Sequence, residues 1–162
     1  MVRATLGHVH LKVRDLERAI GFYSRVLGLR VTERVDAHFA FLSGGDAHHE
    51  VALQELGPDA AGPDPHGVGL YHVAFEVPDA ASLATAYDML VEAGIPVAAV
   101  DHAISWALYF VDPDGNGVEI YLDRRRSPGG DALWHGRSRR LTREALREAA
   151  GLAAQGVTGP PA

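Results

Sequence analysis

The feature that most constrains this chain is that one pattern occurs in it twice. The stretch His8-Val-His-Leu-Lys-Val-Arg-Asp-Leu16 returns as His72-Val-Ala-Phe-Glu-Val-Pro-Asp-Ala80, which matches His8 to His72, Leu11 to Phe75, Val13 to Val77 and Asp15 to Asp79. An internal repeat fixes architecture before any single motif does, because each copy is one supersecondary unit. Apolar and polar residues alternate in both copies, the period of a half-buried strand. The aspartate near each end suits a helix N-cap, since its side chain accepts from the free amides of a first turn. After Asp15, the residues Leu16, Ala19, Ile20, Tyr23 and Leu27 form one helical stripe closed by Gly28. After Asp79, Leu83, Ala86, Tyr87, Leu90 and Val91 do the same, closed by Gly94 before Pro96.

Three short strands are expected behind each helix, at 29–35, 38–42 and 48–55 in the first copy and at 96–101, 105–111 and 117–122 in the second. The run Asp112-Pro-Asp-Gly-Asn-Gly117 is a tight-reversal signal, because Pro, Gly and Asn supply the dihedrals that a hairpin turn needs. The unit is therefore βαβββ, used as modules 5–56 and 69–126 with a Gly/Pro/Asp-rich linker at 57–68. Neither module can cover its own sheet. The expected fold is α+β, with the paired modules forming a curved, half-open barrel with helices outside. Residues 127–162 read as a basic C-terminal extension with a helix at 141–154 and a frayed end.

At 162 residues and 47% hydrophobic, one such domain can bury a core without staples. The chain has no cysteine, which excludes a disulfide framework, a thiolate nucleophile and Cys-based metal sites. No apolar run approaches bilayer length and the first residues lack a signal-peptide pattern, so no membrane role and a cytoplasmic location are expected. The acidic excess lies in residues 1–120, whereas 121–162 are net basic. An acidic main body argues against nucleic acid as a partner. Nine histidines stand in a chain with a single lysine, Lys12. Histidine is the commonest metal ligand, so their placement matters most.

Strand parity places several of them. If Leu11 and Val13 face the helix, His8, His10 and Lys12 face the concave side. The matching strand leaves His72, Ala74 and Glu76 concave, and the last strand leaves Glu119 and Tyr121. Taken singly, each of these is most often a solvated or hydrogen-bonded side chain. The pseudo-symmetric repeat instead brings His8 and His72 to equivalent places, and with Glu119 they make the two-His-one-carboxylate set of non-haem Fe(II) sites.

These residues carry a family resemblance. His8-x-x-Leu-x-Val-x-Asp-Leu16 with the helix ERAIGFYSRVLGL resembles the vicinal oxygen chelate superfamily, which includes glyoxalase I, fosfomycin and bleomycin resistance proteins and extradiol dioxygenases. The stretches LYHVAFEVPD and DHAISWALYFVDPDGNGVEIYLDRRR are similar to catechol 2,3-dioxygenase-type proteins. The resemblance implies metal ligands at His8, His72 and Glu119, holding Fe(II), with manganese, nickel or zinc as the other divalent candidates. It also implies a small aromatic substrate, O2 as co-substrate and a homodimer or higher homo-oligomer. Extradiol cleavage further needs a proton to be taken up and returned, a task for a histidine near neutrality. The family's His-x-x-Ala-Leu stretch matches HHEVAL, which implies His49 as that acid–base group. Its pocket tyrosine, ten residues before the glutamate ligand, matches Tyr109, and a further histidine matches His102. His102 precedes Tyr109 by seven residues, a closer spacing than in the two-domain enzymes. Those enzymes also carry two such pairs of modules, where this chain has one.

Parity and resemblance disagree at one point. If Val51 and Leu53 face the helix, Glu50 enters the hollow and His49 does not. A set of His8, Glu50, His72 and Glu119 would resemble glyoxalase I, whose metal polarises substrate oxygens for proton transfer. A bulge or a frayed strand start would reconcile the two and favour His49. The leading expectation is a metal-dependent extradiol ring-cleaving dioxygenase. The alternatives are a glyoxalase-like lyase or isomerase, and a drug-sequestering binding protein of the bleomycin-resistance type.

Overall fold

A computed structural model describes residues 2–155 of the chain, so the expected fraying at the C-terminus lies outside the described residues. The elements follow in the order β1 (Val9–Val13), α1 (Leu16–Leu27), β2 (Arg30–Val35), β3 (Phe39–Ser43) and β4 (Val51–Glu55), then β5 (Val73–Glu76), α2 (Ala80–Glu92), β6 (Ala98–Asp101), β7 (Ser105–Val111) and β8 (Gly117–Asp123). Beyond the second βαβββ set come a two-residue strand, β9 (Arg139–Arg140), and α3 (Arg143–Gln155). The structure is α+β and contains the βαβββ unit twice. No helix among the described residues is long and apolar enough to cross a membrane.

The chain divides into two compact units. The first holds the residues up to Tyr71 together with Asp112–Asn116, and the second holds His72–Val111 and the residues from Gly117 onward. In the first unit the sheet runs β1-β4-β3-β2, with β1 and β4 parallel and the other pairs antiparallel. Alternation along β1 is as the repeat predicts: Leu11 and Val13 are buried, while His10 and Lys12 are exposed. Asp15 caps α1 by accepting from Arg18 N, and Glu55 Oε2 accepts from Leu16 N at 2.8 Å, so two free amides of the first turn are satisfied. At the other end Gly28 adopts φ 67°, a left-handed turn that costs a glycine little.

The six-residue reversal at 112–117 reads as part of the second module, but Asp112–Asn116 belongs to the first unit. The reason is polar. Tyr23, fully buried on α1, donates its hydroxyl to Asp112 Oδ2 at 3.0 Å, and Asn116 Nδ2 donates to Lys12 O at 3.2 Å. Arg14 Nη1 and Arg18 Nη2 reach Asp114 Oδ1 at 3.2 and 2.7 Å.

In the second unit the sheet runs β5-β8-β7-β6-β9, again with its first pair parallel. Asp79 caps α2 by accepting from Ser82 N. Leu83 and Leu90 of α2 are fully buried, as are Ala107, Leu108 and Ile120 of the sheet. The extension adds to this unit at two places. β9 pairs antiparallel with β6 in the register Val100↔Arg140 and Asp101↔Arg139, which has no counterpart in the sequence reading. The helix expected at 141–154 begins at Arg143, and Asp88 of α2 receives Arg143 Nε at 2.8 Å and Arg147 Nη2 at 3.1 Å.

Candidate functional site

In the first unit the residues of interest gather at the open ends of β1 and β4. His8 directly precedes β1, and its ring lies 4.4 Å from that of His49, centroid to centroid. The His49 ring also packs against Phe41 at 4.9 Å, and Phe41 pairs with Ala52 in register, so both share one face of the sheet. His48 and His49 share a hydrogen bond between their Nδ1 atoms at 2.7 Å, and His48 Nε2 lies 3.0 Å from Glu33 Oε2. Partial burial, followed by the neighbouring His8 and His48, holds His49 below the ordinary imidazole value, with Glu50 pulling the other way.

Strict alternation would have put Glu50 on the Phe41 face and His49 on the other. The strand expected at 48–55 instead begins at Val51, and that late start frees both side chains from the alternation. Glu50 keeps its main-chain bonds, donating from N to Leu42 O and accepting at O from Val9 N, both at 3.0 Å. Its carboxylate turns to the loop before β4, where Oε2 accepts from Gly44 N at 3.0 Å. A glutamate tied to a backbone amide has part of its acceptor capacity used.

In the second unit, five residues form a line across the sheet, one for each strand. His72 directly precedes β5, and its Nε2 stands 2.8 Å from Glu119 Oε2 on β8. Glu119 pairs in register with Tyr109 of β7, which puts the two on the same face. The His72 and Tyr109 rings lie 5.4 Å apart. Tyr109 Oη and His102 Nε2, just beyond β6, are hydrogen-bonded at 3.0 Å. His102 Nδ1 in turn bonds Ser138 Oγ at 2.9 Å, just before β9, and the Trp134 ring stands edge-on to the imidazole at 5.6 Å. Ser138 and Trp134 have no precedent in the sequence reading.

Glu119 is only 8% exposed, and a buried carboxylate requires a cationic or donor partner. An imidazole nitrogen and a carboxylate oxygen held by adjacent parallel strands are the donor chemistry that a divalent transition metal takes, so His72 and Glu119 fit such an ion. Among the described residues no three His, Asp or Glu side chains are gathered as a ready metal cage. His8 belongs to the first unit, and His72 and Glu119 to the second.

Comparison with known proteins bears on what such a set of residues is for. The chain is 40% identical over 123 residues to catechol-2,3-dioxygenase of Bacillus subtilis, an alignment covering 75% of this chain but only 42% of that protein. It is 37% identical over 131 residues to biphenyl-2,3-diol 1,2-dioxygenase 3 of Rhodococcus globerulus, covering 78% of this chain and 67% of the relative. Among solved structures, a lactoylglutathione lyase from Agrobacterium tumefaciens superposes with a TM-score of 0.59 at 25% identity, over 77% of this chain and 98% of that one. Residues 5–120 match the family described as the Glyoxalase/Bleomycin resistance protein/Dioxygenase superfamily, and the chain belongs to that superfamily.

Proposed function

We propose that the protein is a metal-dependent extradiol dioxygenase that cleaves a catechol-like aromatic ring with O2. The observation that carries this reading is the ring contact between His49 and His8, together with the engagement of the Glu50 carboxylate by the Gly44 amide. A lyase of the glyoxalase type would ask Glu50 for a ligand oxygen. Likeness to the Bacillus subtilis and Rhodococcus globerulus dioxygenases supports the same choice.

In this proposal His8, His72 and Glu119 hold Fe(II). When bound, the metal gives the two adjacent catechol oxygens a common anchor and makes the ring's electrons available to dioxygen. The protein's own residues manage position and protons. His49 has its Nδ1 engaged by His48, so proton exchange with the substrate falls to Nε2. Its lowered basicity keeps the imidazole neutral near pH 7, the form that can accept a proton from the substrate. Tyr109 offers its hydroxyl as a donor or acceptor to the bound ring or O2, and His102 fixes where that hydroxyl points.

The test compares neighbours in sequence. His49→Ala should keep its metal and lose catechol turnover by a factor on the order of 10²–10⁴, the usual scale of lost acid–base catalysis. Glu50→Ala should keep both metal and turnover. Normal catechol turnover in His49→Ala would remove that residue from the acid–base role. Loss of metal in Glu50→Ala, with no catechol turnover by the wild type, would overturn the dioxygenase reading in favour of a lyase.

A further inference from the structure

The superfamily match ends at residue 120, yet the line of residues across the second sheet continues past it into the extension. Ser138 is the last member of that line. Its hydrogen bond to His102 is solvent-accessible, and such a bond persists only where the backbone holds both partners in place. The chain around Ser138 supplies that support. Pairing of Asp101 with Arg139 sets His102 and Ser138 opposite each other as the next positions along β6 and β9. Arg139 Nη2 also reaches Asp101 Oδ2 at 3.1 Å. Upstream, Trp134-His-Gly-Arg137 closes a tight turn: Arg137 N donates to Trp134 O at 3.1 Å, and φ is 52° at His135 and 70° at Gly136. Positive φ at both central residues is the signature of a primed turn, which reverses the chain within two residues. At the other end of the approach, Asp131 N donates to Ala103 O, and Gly130 passes so close to Arg124 O that a Cβ there would lie 1.7 Å from it.

We propose that Ser138 is a positioning residue: it and Trp134 clamp the His102 imidazole and, through it, orient the Tyr109 hydroxyl. Ser138 fixes Nδ1, the Trp134 edge limits rotation of the ring, and Nε2 is thereby committed to Tyr109. What Tyr109 is oriented toward rests on the dioxygenase reading; the clamp itself does not. The extension thus completes a site whose other members lie within the superfamily domain.

The experiment uses the full chain as wild type, Ser138→Ala and Ser138→Thr, the last retaining a hydroxyl. In metal-free protein labelled with 15N-histidine, the His102 Nδ1 resonance should move in Ser138→Ala and stay in Ser138→Thr. In the iron-loaded protein, Ser138→Ala should lower kcat for catechol on the order of ten-fold, with a smaller change in KM, unchanged iron content and an unchanged thermal midpoint. Ser138→Thr should restore kcat. An unmoved resonance in Ser138→Ala overturns the clamp, and so does full kcat in that variant. If the wild type turns over no catechol, the dioxygenase reading fails, while the resonance still decides for or against the clamp.

Discussion

Asp112 is 3% exposed, and both of its carboxylate oxygens are fully engaged. Oδ1 accepts from the amides of Asp114 and Asn116 at 2.9 and 2.8 Å, and Oδ2 accepts from Tyr23 Oη and Asn116 Nδ2 at 3.0 and 2.8 Å. Burial, reinforced by the Asp112 carboxylate, pushes Tyr23 far above the usual phenol value, so it remains a donor at any pH the fold survives. Tyr23→Phe leaves a buried charge one donor short and should cost about 1–3 kcal/mol, read as a lower denaturation midpoint at unchanged m-value. An unchanged midpoint would show that the bond contributes nothing. Sequence shows only half of this arrangement. The turn residues are evident from Asp-Pro-Asp-Gly-Asn-Gly, and Tyr23 sits on the buried stripe of its helix. The bond between them joins residues 89 positions apart, and no local pattern encodes it.

At the scale of elements, alternation and the repeat locate both caps, both long helices and the middle of every strand in the repeat, because each of those is a local signal. Strand ends are not, and the decisive one is the start of β4. Parity extrapolated through His48–Glu50 assigns the wrong face to His49, since regular strand begins only at Val51, although the Glu50 main chain still bonds Leu42 and Val9. β9 was illegible for another reason: Arg139-Arg140 shows no apolar alternation, and its strand character comes from β6. α3 is attached through Asp88, whose carboxyl Arg147, ahead of Arg143, holds below its usual value against the cost of partial burial. A carboxyl depressed in the folded state contributes stability that is complete above its unfolded value, about pH 4, and is lost as pH falls through the folded value. Asp88→Asn should therefore lower the thermal midpoint at pH 7, and the gap to wild type should close as the pH falls through the depressed folded value. A gap that persists unchanged in acid would assign the effect to packing.

For the molecule as a whole, the repeat makes the superfamily legible, because each βαβββ unit needs a partner to cover its sheet. The activity is less legible. The superfamily includes dioxygenases and lyases on one scaffold, and fold alone does not choose between them. The chain also spans 42% of the Bacillus subtilis dioxygenase it resembles. The central claim, metal-dependent ring cleavage by this single pair of modules, is tested on the protein purified anaerobically and loaded with Fe(II). With catechol it should consume O2 in step with the appearance of a yellow ring-opened product. A chelator should abolish both while leaving a cooperative thermal transition, because the buried helix faces persist without the ion. No oxygen uptake by the iron-loaded protein with any catechol would contradict the account.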